Sequence, residues 1–205
     1  MDFNIFFLST ITSLVLFFRT TFLLIVSPYK TMRKIAQSDD LMQPVIIFLL
    51  IGTYFIYADK IRENPYSPFF LFFLTLVNFI LTIVFFALIK LLSAEKREIR
   101  FSKFIILFSY SLIPTLIWFT VNSILYVLLP PPRTPSFLGK GFSIIYTAFS
   151  IAVLSWKVMV TYLAVRYSTE LKFFRILYSF ILYLVAVIPY SFILYFAKIS
   201  KIPFL

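Results

Sequence analysis

The chain has no cysteine and no histidine in 205 residues, and only eight carboxylates. Their absence removes disulfides, thiolate nucleophiles, imidazole general bases and the usual zinc and haem ligands. The eight acids (Asp2, Asp39, Asp40, Asp59, Glu63, Glu95, Glu98 and Glu170) lie near the start of the chain or between its long apolar stretches. No carboxylate pair is therefore placed for acid–base chemistry inside a membrane. Glycine is nearly as scarce: of three, only Gly52 falls within an apolar stretch, which denies the helices close GxxxG packing. Enzyme is the class these absences weaken most. No catalytic, cofactor-binding or metal-binding residue is expected, and no nucleic-acid partner.

What the chain does have is long hydrophobic runs. Hydrophobic residues make up 61% of the sequence, charged residues 13%, and the mean hydropathy is +0.99. Six stretches have the length of a bilayer-spanning helix: Phe3–Val26, Leu41–Ala58, Pro68–Leu92, Phe104–Leu129, Phe142–Val165 and Phe173–Ala197. Barrel strands are shorter, about 10 residues with alternating polarity, so these continuous runs predict helices. The expected fold is an all-α integral membrane protein, one membrane domain over residues 1–205. It is a bundle of six helices, or of five plus one interfacial helix. The uncertain member is the first, which Arg19 interrupts and which carries Ser9, Thr10, Thr12, Ser13, Thr20 and Thr21. It lacks a basic n-region and a small-residue cleavage site, so retention as a helix is expected rather than removal as a signal peptide. Residues 27–40 read as a cytoplasmic linker.

Charge orients the bundle. The segments after the first, third and fifth stretches carry eleven cations (Lys30, Arg33, Lys34; Lys90, Lys96, Arg97, Arg100, Lys103; Arg166, Lys172, Arg175), against six on the other side. The positive-inside rule places the first set in the cytoplasm and the C-terminus outside. The densest basic run, Ser93–Lys103, would attract anionic headgroups, although ordinary topology-setting charge explains it as well. Pro130–Pro135 reads as a stiff extended connector.

Polar side chains recur at helical spacing, which puts each set on one face. The sets are Ser9, Thr12, Leu16 and Arg19; Thr75, Asn78 and Thr82; Ser111, Thr115, Trp118, Asn122 and Tyr126; Ser143, Thr147, Ser150, Leu154, Lys157 and Thr161; and Ser179, Tyr183, Ala186 and Tyr190. In lipid such faces turn into the bundle, as hydrogen-bonding contacts between helices or as the wall of a hydrated path. Arg19 and Lys157 stand out, because an intramembrane cation costs at least ~2.5–3.5 kcal/mol at a helix centre. Lys157 lies about 13 Å along its helix from Arg166. Such a cation snorkels, sheds its proton on desolvation, or meets an anion. The candidate intramembrane polar site is Arg19, Asn78, Tyr110, Asn122 and Lys157. Pro114 and Pro189 each remove a backbone bond and are expected to kink their helices.

Asp40-Leu-Met-Gln-Pro44 opens the second stretch, and Ser109-Tyr-Ser-Leu-Ile-Pro114 falls within the fourth. Together these resemble the Yip1 domain family, whose eukaryotic members show an Asp-Leu-Tyr-Gly-Pro motif before the first of five spans. They also have a Gly-Tyr motif with a following proline in a later one. Asp40, Leu41 and Pro44 match the first motif, with Met42 for Tyr and Gln43 for Gly. Tyr110 and Pro114 match the second, with Ser109 for Gly. The resemblance implies a Yip1-like core over about residues 41–205, five spans and an outside C-terminus. Eukaryotic members are associated with secretory membranes and Rab-type GTPases through a long polar tail that this chain does not show. The resemblance therefore implies a compact, prokaryotic-type member, in the plasma membrane (ER/Golgi if eukaryotic).

Two functional readings follow. The first is a non-enzymatic Yip1-like bundle that organises membrane lipids, a membrane protein partner or further copies of itself through aromatic helices and basic loops. The second is a small transporter or channel for an anion or lipid, with Arg19 and Lys157 as counter-charges.

Overall fold

The computed structural model describes residues 3–61, 66–93, 100–128 and 137–199. The described residues form eight helices and no strand: α1 (Phe3–Val26), α2 (Pro28–Ile35), α3 (Met42–Ile61), α4 (Pro68–Leu92), α5 (Phe101–Tyr110), α6 (Ile113–Leu128), α7 (Phe137–Thr169) and α8 (Phe173–Phe196). Five apolar segments are long enough to cross a bilayer: α3, α4, α5 with α6, α7 and α8. The described residues are thus all-helical in their regular structure, and five helical segments long and apolar enough to cross a bilayer make this an integral membrane protein. The sixth expected span is not among them, because the apolar part of α1 over the described side chains runs only from Ile11 to Val26. The basic run over 94–99 and the connector 130–135 lie outside the described residues.

Several boundaries differ from expectation for local reasons. The fourth stretch is two helices, because Pro114 has no N–H for the carbonyl of Tyr110. At the break, Ser111 N and Leu112 N donate instead to Phe108 O and Ser109 O, both 3.1 Å away. The linker 27–40 contains a helix, α2, started by Pro28 in its first turn. This helix buries Thr31, Met32 and Ile35 and keeps Arg33 and Lys34 exposed.

Two ends of the bundle are defined by contacts. At the basic end the C-termini of α4 and α7 meet, where Lys90 Nζ donates to the carbonyl of Ser168 at 3.3 Å. Lys90, expected in a loop, is only 6% exposed within the last turn of α4. It answers the carbonyl-rich end of α7 with a cation. Beside it Lys103 pairs with Glu170 at 2.6 Å, and Arg166 lies over the ring of Tyr29 in α2. At the far end, Tyr66 donates to the carbonyl of Ala197, tying the start of α4 to the end of α8.

The core is mostly aliphatic around a cluster of aromatic rings. Phe86, Phe104, Phe108 and Tyr110 are fully buried, with Phe86 stacked on Phe108 and Phe108 on Phe104. The central helix is α5, hydrophobic nearly all round and enclosed by α3, α4 and α7. By contrast α8 is the peripheral one, touching only α7 and α4 appreciably. The apolar side chains that remain exposed form the lipid-facing surface.

Packing of α1 reverses the expected stripe. It buries Ser13, Phe17 and Leu24 against the bundle, while Thr12, Leu16 and Arg19 are exposed. An aromatic ring and a leucine offer more apolar area than the Ser/Thr line, and Ser13 supplies the polar contact on the same face. That leaves Arg19 turned away from the core.

Candidate functional site

Four of the five polar stripes converge. Helices α3, α4, α6, α7 and α8 enclose a cavity of about 750 Å³, with α5 contributing Phe108 at its inner end. Thr75, Asn78 and Thr82 reach it from α4, Thr115, Trp118 and Asn122 from α6, Lys157 and Thr161 from α7, and Tyr183 and Tyr190 from α8. Ser143 and Thr147, placed on the same α7 stripe by spacing, are instead exposed and donate to their own helix at Gly139 O and Ser143 O. Tyr126 is likewise 37% exposed.

Along its shaft the cavity is held by polar pairs that satisfy one another. Tyr54 (α3) bonds Ser123 (α6) at 3.2 Å. Tyr146 (α7) donates to Asn122 Oδ1 (α6), and Trp118 Nε1 donates to Ser150 at 3.1 Å. Between α4 and α8, Tyr183 meets Thr82 at 3.0 Å and Tyr190 donates to Asn78 Oδ1 at 2.7 Å. The two asparagines expected in a polar site are therefore present, each already accepting a tyrosine proton.

The inner end is different. Trp118–Ser150 and Asn122–Tyr146 set an antiparallel register of α6 on α7, four residues per step on each. Continuing it seven residues inward brings Ser111 level with Lys157, so Lys157 faces the break between α5 and α6. Its side chain is half-buried and lines the cavity. Among the described residues it makes no hydrogen bond or ion pair, and no lining residue is a carboxylate. One turn along from Ser111, Thr115 also lines the cavity, with its hydroxyl buried behind the wall and without a partner. An ammonium and a helix break thus share one region of the cavity. A broken helix beside an intramembrane charge is a recurrent way to build a binding site in transporters.

The other two expected site residues are not brought there. Arg19 is exposed on α1 and does not line the cavity. Tyr110 is fully buried on the α3 side of α5, where it donates to Gln43 Oε1. Gln43 Nε2 donates to Asp40 Oδ2 at 3.1 Å, Ser13 donates to the same oxygen at 3.1 Å, and Met42 N donates to Asp40 Oδ1 at 3.0 Å. This network joins α1, α3 and α5 and is separate from the cavity. Sequence reasoning missed Gln43 as a partner, although Asp40, Gln43 and Tyr110 all stood in the two short motifs. It also missed Tyr54, which sits on no polar stripe, and Tyr146, which shares the α7 face with Ser143 and Ser150 at helical spacing. No family model, curated protein or solved structure matches the chain.

Proposed function

We propose that this is a non-enzymatic multi-pass membrane protein that takes an anionic solute or lipid into the cavity, with Lys157 as its counter-charge. One observation carries the reading: a lysine deep in a membrane span faces a cavity of about 750 Å³ with no acidic side chain in its wall and no partner among the described residues. The cost of placing a cation there is offset when an anion joins it. The basic end is the cytoplasmic one in this reading, by the excess of Lys and Arg there, and the cavity extends from Lys157 away from it, to Ala58, Leu71 and Ile199. Native mass spectrometry of the purified protein in mild detergent, wild type against Lys157→Met, tests it. A co-purifying anionic ligand that the substitution removes is the expected result, and anion flux into proteoliposomes should fall with it. A ligand complement and flux unchanged by Lys157→Met would remove Lys157 from the function.

A second reading, the Yip1-like organiser, is favoured by a different observation. Asp40, Gln43 and Tyr110, from the two motifs that carry that resemblance, meet in one hydrogen-bonded network. This reading expects a defined oligomer or a retained membrane partner in the same spectra, insensitive to Lys157→Met.

A further inference from the structure

The polar groups of the cavity are unevenly satisfied, and the unevenness describes a ligand. Along the shaft Asn78, Asn122, Tyr54 and Tyr190 are bonded to neighbouring helices, so the surface they leave is largely that of Leu, Phe and Ala side chains. Lys157 and Thr115, at the inner end, have no partner among the described residues. Lining positions on α4 run from Leu71 to Phe85, about 20 Å at 1.5 Å per residue. One leaflet of hydrocarbon is about 15 Å deep, half of a bilayer core. The cavity volume of about 750 Å³ lies within the roughly 300–1,000 Å³ that holds drug-sized ligands. That is far more than a small inorganic anion needs.

We infer that the ligand is a single-chain anionic amphiphile, its anionic group held by Lys157 beside the helix break and its alkyl chain lying along the shaft toward the far end. This rests on the reading of the cavity as an anion site and names the class of ligand. The shared chemistry is one compact anion, carboxylate or phosphate monoester, on one long chain. A carboxylate or phosphate accepts charge-assisted bonds from the ammonium. The chain needs no hydrogen bonds and meets a wall that offers few unsatisfied ones.

The test uses the full-length protein in nanodiscs of neutral phosphatidylcholine, with binding read by native mass spectrometry. The probes are hexadecanoate, hexadecyl phosphate, octanoate and inorganic phosphate. Hexadecanoate or hexadecyl phosphate should bind one per protein, with affinity falling roughly three- to fourfold for each methylene removed. Lys157→Met should weaken either by about tenfold, the loss expected for a charge-assisted contact, and Lys157→Arg should retain most of it. The tighter of the two long-chain probes assigns the headgroup source, fatty acid or phosphate monoester. Ala186→Trp, which fills the shaft and leaves Lys157 in place, should displace the long-chain probes even if Lys157→Met fails to fold. Inorganic phosphate bound as tightly as the long-chain probes, lost in Lys157→Met and kept in Ala186→Trp, would overturn the amphiphile and leave the anion site standing. Long-chain binding indifferent to Lys157→Met, Lys157→Arg and Ala186→Trp alike would overturn both.

Discussion

Tyr110 supplies the hydrogen bond to the buried side-chain oxygen of Gln43, and Tyr110→Phe removes it without changing the shape of the core. An orphaned buried acceptor costs about 1–3 kcal/mol, whereas interhelical bonds in membranes average about 0.6 kcal/mol. The loss here should fall near 1 kcal/mol, because Gln43 stays tethered to Asp40. Thermal unfolding in detergent measures it, and a loss indistinguishable from zero would mean that the network is incidental. The same substitution should leave Lys157-dependent binding intact, since Tyr110 does not line the cavity. The two polar sites are then separable residue by residue. Arg19 shows why one residue's chemistry is not enough to place it. It resembles Lys157 in sequence as a lone cation in an apolar run, and only packing turns one outward and the other inward. Nothing in the local sequence decides that Phe17 and Leu24, rather than the Ser/Thr line, face the bundle.

At the scale of elements, the polar stripes of α4, α6, α7 and α8 were legible because helical spacing and the cost of a lipid-facing hydroxyl both direct them inward. The line failed at Ser143 and Thr147, whose hydroxyls satisfy themselves on the preceding turn and so need no neighbour. Interhelical register was not legible, because it depends on which tyrosine reaches which acceptor, a matter of packing between distant segments. The break at Ser111–Leu112 was half legible. Pro114 announces an irregularity, but its position opposite Lys157 emerges only from the register. Pro114→Ala restores a donor for the Tyr110 carbonyl and relieves part of the ~3 kcal/mol that proline costs a helix interior. It should raise the unfolding temperature while reducing Lys157-dependent ligand retention severalfold as the break closes. A stabilised variant with full retention would show that the break serves folding alone. On the periphery, the α4–α8 seam relies on the bonds of Tyr183 and Tyr190. The double substitution Tyr183→Phe/Tyr190→Phe should speed hydrogen exchange in α8 and leave that of α5 unchanged, since local opening follows contact density. Equal acceleration in both helices would mean that α8 does not open separately.

At the scale of the whole molecule, the number of crossings turns on α1. Ser13 meets Asp40, just before α3 begins. From Ser13 back to Phe3 is ten residues, about 15 Å of helix. From Asp40 level, α3 runs for 20 residues, about 30 Å, to the far end. Whatever its tilt, this part of α1 reaches at most about half that distance. Its other half, Leu14 to Val26, leads to α2, which packs on α5 and α7 beside Tyr167 and Arg166. Because Gln43 is bonded to Tyr110, Ser13 meets the bundle nine residues, about 14 Å, in from the start of α5, so α1 enters the bundle from its basic end and its first residues stop short of the far end. A chain without cysteine makes the test direct, because any introduced cysteine is the only thiol. Ser38→Cys should react with a membrane-impermeant maleimide from the basic face and Lys198→Cys from the opposite face. Asn4→Cys, in the part of α1 that extends past Ser13, should be shielded from both. Labelling of Asn4→Cys from the Lys198 side would make α1 a spanning helix and restore six crossings. Either result fixes which face of the membrane the cavity, and so any ligand on Lys157, opens toward, because Ser38 and Lys198 report the orientation of the five remaining spans independently of α1.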